Sequence, residues 1–202
     1  MPTAQDQKIS QQAEGLYANI TLTDLQLASA YYPILIDLAK HKHCLTYGEL
    51  VERAKQAYPS KNVVQQAIAV STGRRLDVVR LFTSERGLPD ITSLIISKGS
   101  GECGIGFTQY FDPKLSREEV FTFDWSEVTI KFDGFLQETE SAIRPRKKLK
   151  QQEALEVMAE YYKNNKDALP KSVRNYRELI IESIMEGISV VDAFAQVPSD
   201  VK

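Results

Sequence analysis

Arg74, Arg75 and Arg80 fall within one helical stretch, and Lys98 follows in a Gly/Ser-rich turn. Guanidinium groups match phosphate geometry, and at the first turn of a helix they act beside unpaired backbone amides that also attract anions. The pattern points to phosphate contact rather than to bond-making. Groups that could make or break bonds are sparse. His41 and His43 fall on different faces of a helix and lack a further ligand nearby. Cys103 lies in a turn with no obvious basic partner to favour its thiolate, and Cys44, beside His41 and His43, completes no metal-ligand set and sits in no activating environment by sequence. Pro89-Asp90 followed by Lys98 lacks the acid of a restriction-nuclease core, since Ile96 occupies that position. Asp124, Glu127 and Asp133 are too loosely spaced to specify a metal. No Gly-rich phosphate loop, Ser-x-x-Lys or nucleophile elbow occurs. No catalytic residue, metal or cofactor is expected.

The elements that would carry the basic residues follow from periodicity. Leu25, Ala28, Tyr32, Leu35 and Leu38 recur at helical intervals behind a Thr23/Gln26 capping spacing, which predicts a helix near 23–39 that Pro33 should kink or restart. Thr46 with Glu49 opens a second helix, 46–57. Ser71 or Thr72 caps a third, 72–86, with Leu76, Val79 and Phe82 inward and the three arginines largely outside that stripe. At Pro89 the period changes. Residues 91–96 are rich in β-branched side chains, 98–102 form a turn, and 105–107 can return as a partner strand. Three helices and a hairpin across 91–111 make an α+β, mostly α protein with a winged helix.

The remainder is helical. Ser116 and Glu119 suggest a short helix before the aromatic residues Phe121, Phe123 and Trp125. Further helices are expected at 148–162, at 172–185 before Gly187, and after Ser189 and Asp192. The expected domains are a loose segment over 1–22, the winged helix over 23–126, a linker over 127–147 and a C-terminal helical region over 148–202. Leu155, Met158, Tyr161, Tyr162, Leu179, Ile180, Ile184 and Phe194 in that last region call for a covering partner, either the first domain or a second copy.

Thr46-Tyr47-Gly48-Glu49-Leu50, the paired arginines, the Leu88-Pro89 boundary and Gly104-x-Gly106-Phe107 resemble the DNA-binding domain of the alkylguanine alkyltransferases and alkyltransferase-like proteins over roughly residues 45–110. The resemblance implies that Tyr47 touches a DNA phosphate and that Arg74 or Arg75 enters the space left by a flipped base. The stretch from Gly87 to Trp125 also resembles a little-characterised group of bacterial proteins. The alkyltransferases carry Pro-Cys-His-Arg where this chain has Pro89-Asp90-Ile91-Thr92, which removes cysteine alkyl transfer.

Charge is distributed unevenly about a net of −2. Residues 41–111 hold nine Lys/Arg against six Asp/Glu, 112–143 three against eight, and 144–202 eleven against nine, opening with Arg144, Arg146, Lys147, Lys148 and Lys150. Any phosphate-binding surface must be local. Two cysteines are too few for a disulfide framework, and no apolar run reaches a membrane-spanning length, so a cytoplasmic protein is expected. The leading expectation is a protein that binds double-stranded DNA through Tyr47, Arg74, Arg75, Arg80 and Lys98 without chemistry of its own. It would serve as a regulator or DNA-modification sensor, in a bacterial or mobile-element setting implied by the resemblance. A protein–protein interaction module, or a non-catalytic subunit of a larger complex, fits the same residues. The arginines could equally solvate an outer helix face, and the Lys98 turn could be an ordinary hairpin.

Overall fold

Thr21 starts the first helix. Its hydroxyl accepts the Asp24 amide at 3.2 Å, and Asp24 returns the bond to the Thr21 N–H at 2.8 Å, a reciprocal cap that supports α1, Leu22–His41. The computed structural model describes residues 19–126, 128–143 and 146–197. Most of the segment expected to be loose over 1–22, together with Glu127 and Arg144, lies outside the described residues. The cap falls two residues before the expected Thr23. Pro33 does not end α1; it is exposed, while Tyr31, Tyr32, Ile34 and Leu35 around it are buried, and that packing offsets the missing backbone donor. Lys42, at φ 56°, closes the helix in the left-handed region.

β1 (Leu45–Thr46) leads into α2 (Tyr47–Ala57), where Thr46 and Glu49 form the expected capping box. A short α3 (Asn62–Gln65) and a 3-10 turn precede α4, Thr72–Glu85. α4 packs chiefly on α1, burying Leu76, Val78, Val79, Leu81, Phe82 and also Arg75. It is an inner helix with only a narrow accessible strip. Ser71 and Thr72 do not cap it through their side chains; both hydroxyls donate to the Ile68 carbonyl instead.

The chain then departs from the expected hairpin. Asp90 accepts the Thr92 amide at 3.0 Å and its hydroxyl at 2.6 Å, which winds Ile91–Leu94 into a fully buried 3-10 turn. β2 (Ile95–Ile96) pairs in parallel with β1, Leu45 opposite Ile95 and Thr46 opposite Ile96. A tight turn follows as expected, with Gly101 at φ +68° and the Ser97 amide bonded to the Glu102 carbonyl at 2.8 Å. No partner strand returns. Gly104 begins a helical turn instead, α5 (Ile105–Thr108), which buries Phe107 and leaves Ile105 exposed. The wing is therefore absent among the described residues.

α6 (Pro113–Thr122) is capped by Asp112 rather than Ser116, and Trp125 donates its indole N–H to the Val120 carbonyl at 2.9 Å. α7 (Thr129–Ala142) occupies the stretch expected to be a linker. Its Phe132 stacks on Tyr32 at 4.0 Å, and Phe82 and Phe135 complete an aromatic cluster. The first unit extends to Ile143.

The second unit begins at Arg144 and has its own core. α8 (Gln151–Asn165), a 3-10 turn over Lys171–Tyr176, α9 (Arg177–Met185) and α10 (Val190–Ala195) surround Ala154, Val173, Ile180, Ile184 and Phe194. Ser189 caps α10 by accepting the Asp192 amide at 3.1 Å, as its spacing predicts. Among the described residues no helix is long and apolar enough to cross a membrane.

Candidate functional site

The two arginines assigned to DNA point into the protein. Asp24 Oδ2 receives Arg74 through Nη2 at 2.6 Å and Nε at 3.1 Å, while Oδ1 lies 2.7 Å from Arg75 Nη1. Arg74 also donates to the Asn19 carbonyl at 3.2 Å. The Asp24 and Arg75 side chains are each 1% exposed and Arg74 is 12% exposed, so the pair fastens the start of α4 to the start of α1. A guanidinium held in this way presents no free face to a phosphate, which corrects the expected role of Arg75 and leaves Arg74 only an edge.

Arg80 is committed as well. Its Nε donates to Asp90 at 2.8 Å, Nη2 to Thr92 at 3.2 Å and Nη1 to Asp77 at 3.4 Å, and the guanidinium stands 5.0 Å from the Phe107 ring centre. It joins α4 to the 3-10 turn that displaced the hairpin. Burial pushes the Asp77 carboxyl up to about 6, Arg80 opposing and the nearby Asp90 and Asp24 adding to the rise. Tyr47 is half-buried and faces Gly104; a Cβ there would lie 3.1 Å from the Tyr47 hydroxyl. Burial raises the pKa of this phenol, and the Gly104 amide bonded to it acts in the opposite sense. Tyr47 thus holds the 104 loop to α2 rather than reaching outward.

Lys98 alone of the five nominated residues is fully open, in the turn after β2. Its surroundings are mixed in sign. Glu49 feels both Lys98 and Arg53, Arg53 lies 3.7 Å from Asp37, and His41 lies 3.2 Å from the same carboxylate. Cations and carboxylates alternate across this face, so no field of one sign builds up.

The cysteines share one environment. The Cys103 thiol donates to the Ser93 carbonyl at 3.3 Å and sits 3.8 Å from an Arg117 nitrogen, but Arg117 is held by Glu102 through two 2.7 Å bonds. Burial pushes the Cys103 thiol up to about 12 and raises Cys44, with Arg117 opposing in both cases. Neither is an activated nucleophile. Among the described residues no group of three or more His, Cys, Asp or Glu is placed to hold a metal ion.

The second unit contains an open apolar cleft of about 430 Å³, between α8 and α9 and closed below by α10. Met158, Ala159 and Tyr162 line one side, Val173 and Ile180 the other, and Phe194 the floor, with Arg174 and Arg177 at the rim. Ala159 and both arginines are exposed, whereas Val173, Ile180 and Phe194 are buried. Arg174 Nε lies 3.4 Å from the Tyr162 hydroxyl. Unlike Arg74, Arg75, Arg80 and Arg117, neither rim arginine has an ion-pair partner among the described residues. The apolar half of this cleft was legible as the excess of helical hydrophobes at Met158, Tyr162, Ile180 and Phe194. The rim arginines were missed because their setting depends on where the 3-10 turn ends.

Comparisons with protein-family models, with curated proteins and with solved structures find no match for this chain.

Proposed function

We propose that the protein is a binding protein without chemistry of its own and that its C-terminal unit docks a partner protein. The contrast between committed and uncommitted arginines carries this reading. In the first unit the guanidinium groups of Arg74, Arg75, Arg80 and Arg117 are spent on carboxylates that join one element to another. In the second, two arginines stand over a concave apolar surface of a size that takes up side chains from a partner. Residues 144–202 carry eleven Lys/Arg against nine Asp/Glu, whereas residues 1–143 taken together carry fourteen against eighteen.

The test places a photo-crosslinking residue at Ala159 of the full chain and, as control, at Glu118 of α6. A discrete protein adduct from position 159 and none from 118 is the expected result. Equal, diffuse labelling at both would overturn the reading.

The DNA-binding, winged-helix reading rests on the resemblance and on one observation, the exposed Lys98 beside α2. It now requires a surface without Arg75 and without a wing. A gel shift on random duplex DNA at two salt concentrations decides between the two. Tight, salt-sensitive binding supports DNA; the docking reading expects no shift at low salt.

A further inference from the structure

Resting on the docking reading, we infer that the segment seated in the C-terminal cleft is an acidic amphipathic helix of the partner, whose apolar side chains fill the cleft and whose carboxylates meet Arg174 and Arg177. The cleft runs between helices, and its middle is opened by Ala159, whose small side chain lets another helix approach closely. Met158 supplies an adaptable wall that repacks around an incoming apolar side chain. Among the described residues no lining side chain is acidic and two are arginines, so the rim selects negative charge. Arg174 lies within the 3-10 turn and Arg177 opens α9, three positions apart and both on the cleft side. That spacing matches carboxylates at i and i+3 or i+4 on a facing helix. A lone fatty acid would satisfy one arginine; a helix with two acids satisfies both.

The test uses the full chain and two labelled peptides of about 16 residues with the same leucine pattern, one carrying Glu and the other Lys at the positions beside the leucines. Fluorescence anisotropy is expected to give saturable binding of the Glu peptide, about tenfold tighter than the Lys peptide and weakened by salt. The Arg174→Glu/Arg177→Glu protein should reverse the preference; both positions are exposed, and a carboxylate suits the N-terminus of α9. Ala159→Trp should block both peptides in a protein that circular dichroism shows to be folded.

Preference for the Lys peptide, or no effect of the charge reversal, overturns the acidic partner. If Ala159→Trp still blocks binding in that case, the docking function stands. Peptide binding indifferent to Ala159→Trp removes the cleft and the docking function together. Binding of decanoate with neither peptide bound assigns the cleft to small amphiphilic acids and overturns the helix.

Discussion

Arg75 Nη1 lies 2.7 Å from Asp24 Oδ1, and both side chains are 1% exposed. A residue expected to touch DNA is instead one of the largest fully buried side chains of the protein. Taking two charges out of water is costly, and what offsets the cost is the short separation of the pair together with the cap of α1 and the bond to Arg74 that Asp24 supplies at the same time.

The first prediction follows from this shared carboxylate. Asp24→Ala should destabilise the first unit by about 3–5 kcal/mol, because it strands a buried guanidinium and removes the cap. Replacing Asp24 and Arg75 together by Leu and Met should cost much less than the single change. Urea denaturation measures both. Equal costs would mean that the ion pair is not what holds α4 to α1.

The second concerns pH. Burial raises the Asp77 carboxyl from 3.8 to about 6, so the folded state holds this proton more tightly than the unfolded chain. The stabilisation due to Asp77 is complete below pH 3.8 and is lost as pH rises through about 6. Asp77→Asn should therefore be stabilising by about 1 kcal/mol at pH 7, a figure reduced for solvent screening of a partly accessible side chain. The gain should vanish near pH 4. Denaturant midpoints of the two proteins across this range give the comparison, and a gain that grows on acidification would contradict it.

A third prediction tests the turn after α9. Gly187 has φ +83°, and a Cβ there would lie 2.7 Å from Arg146 Cβ and 2.8 Å from the Lys147 carbonyl oxygen. Gly187→Ala should cost the second unit about 2 kcal/mol or more, from backbone strain and overlap together. Limited proteolysis should then release the second unit from protection while leaving the first resistant. Unchanged protection of residues 146–197 would refute the close approach.

The thiols provide a fourth. Burial with a pKa of about 12 should make Cys103 react with iodoacetamide at pH 8 far more slowly than the half-buried Cys44, and both more slowly than in urea. Cys103→Ser should leave partner binding intact. Fast native alkylation of Cys103, followed by mass spectrometry, would reopen thiol chemistry.

Local rules were enough to read α1, α2 and α4 from the sequence. Thr46 with Glu49 and Ser189 with Asp192 act over three residues, and the spacing of Leu25, Ala28, Tyr32 and Leu35 is itself the helix face. Where a local rule met a competing partner, tertiary structure decided. Residues 91–96 have the composition of a strand, yet Asp90 winds four of them into a turn and leaves Ile95–Ile96 to pair with a strand some fifty positions earlier. The stretch 127–147 looks like a polar linker because Phe132 and Phe135 bring only a narrow apolar stripe, and it is the aromatic cluster with Tyr32 and Phe82 that makes it a core helix. The arginines show the same division. Sequence placed Arg74, Arg75 and Arg80 on one helix, but whether a cation faces solvent or a carboxylate depends on which Asp the fold brings within 3 Å. Arg75 found Asp24, whereas Arg174 and Arg177 found no acid among the described residues and remain at the cleft rim.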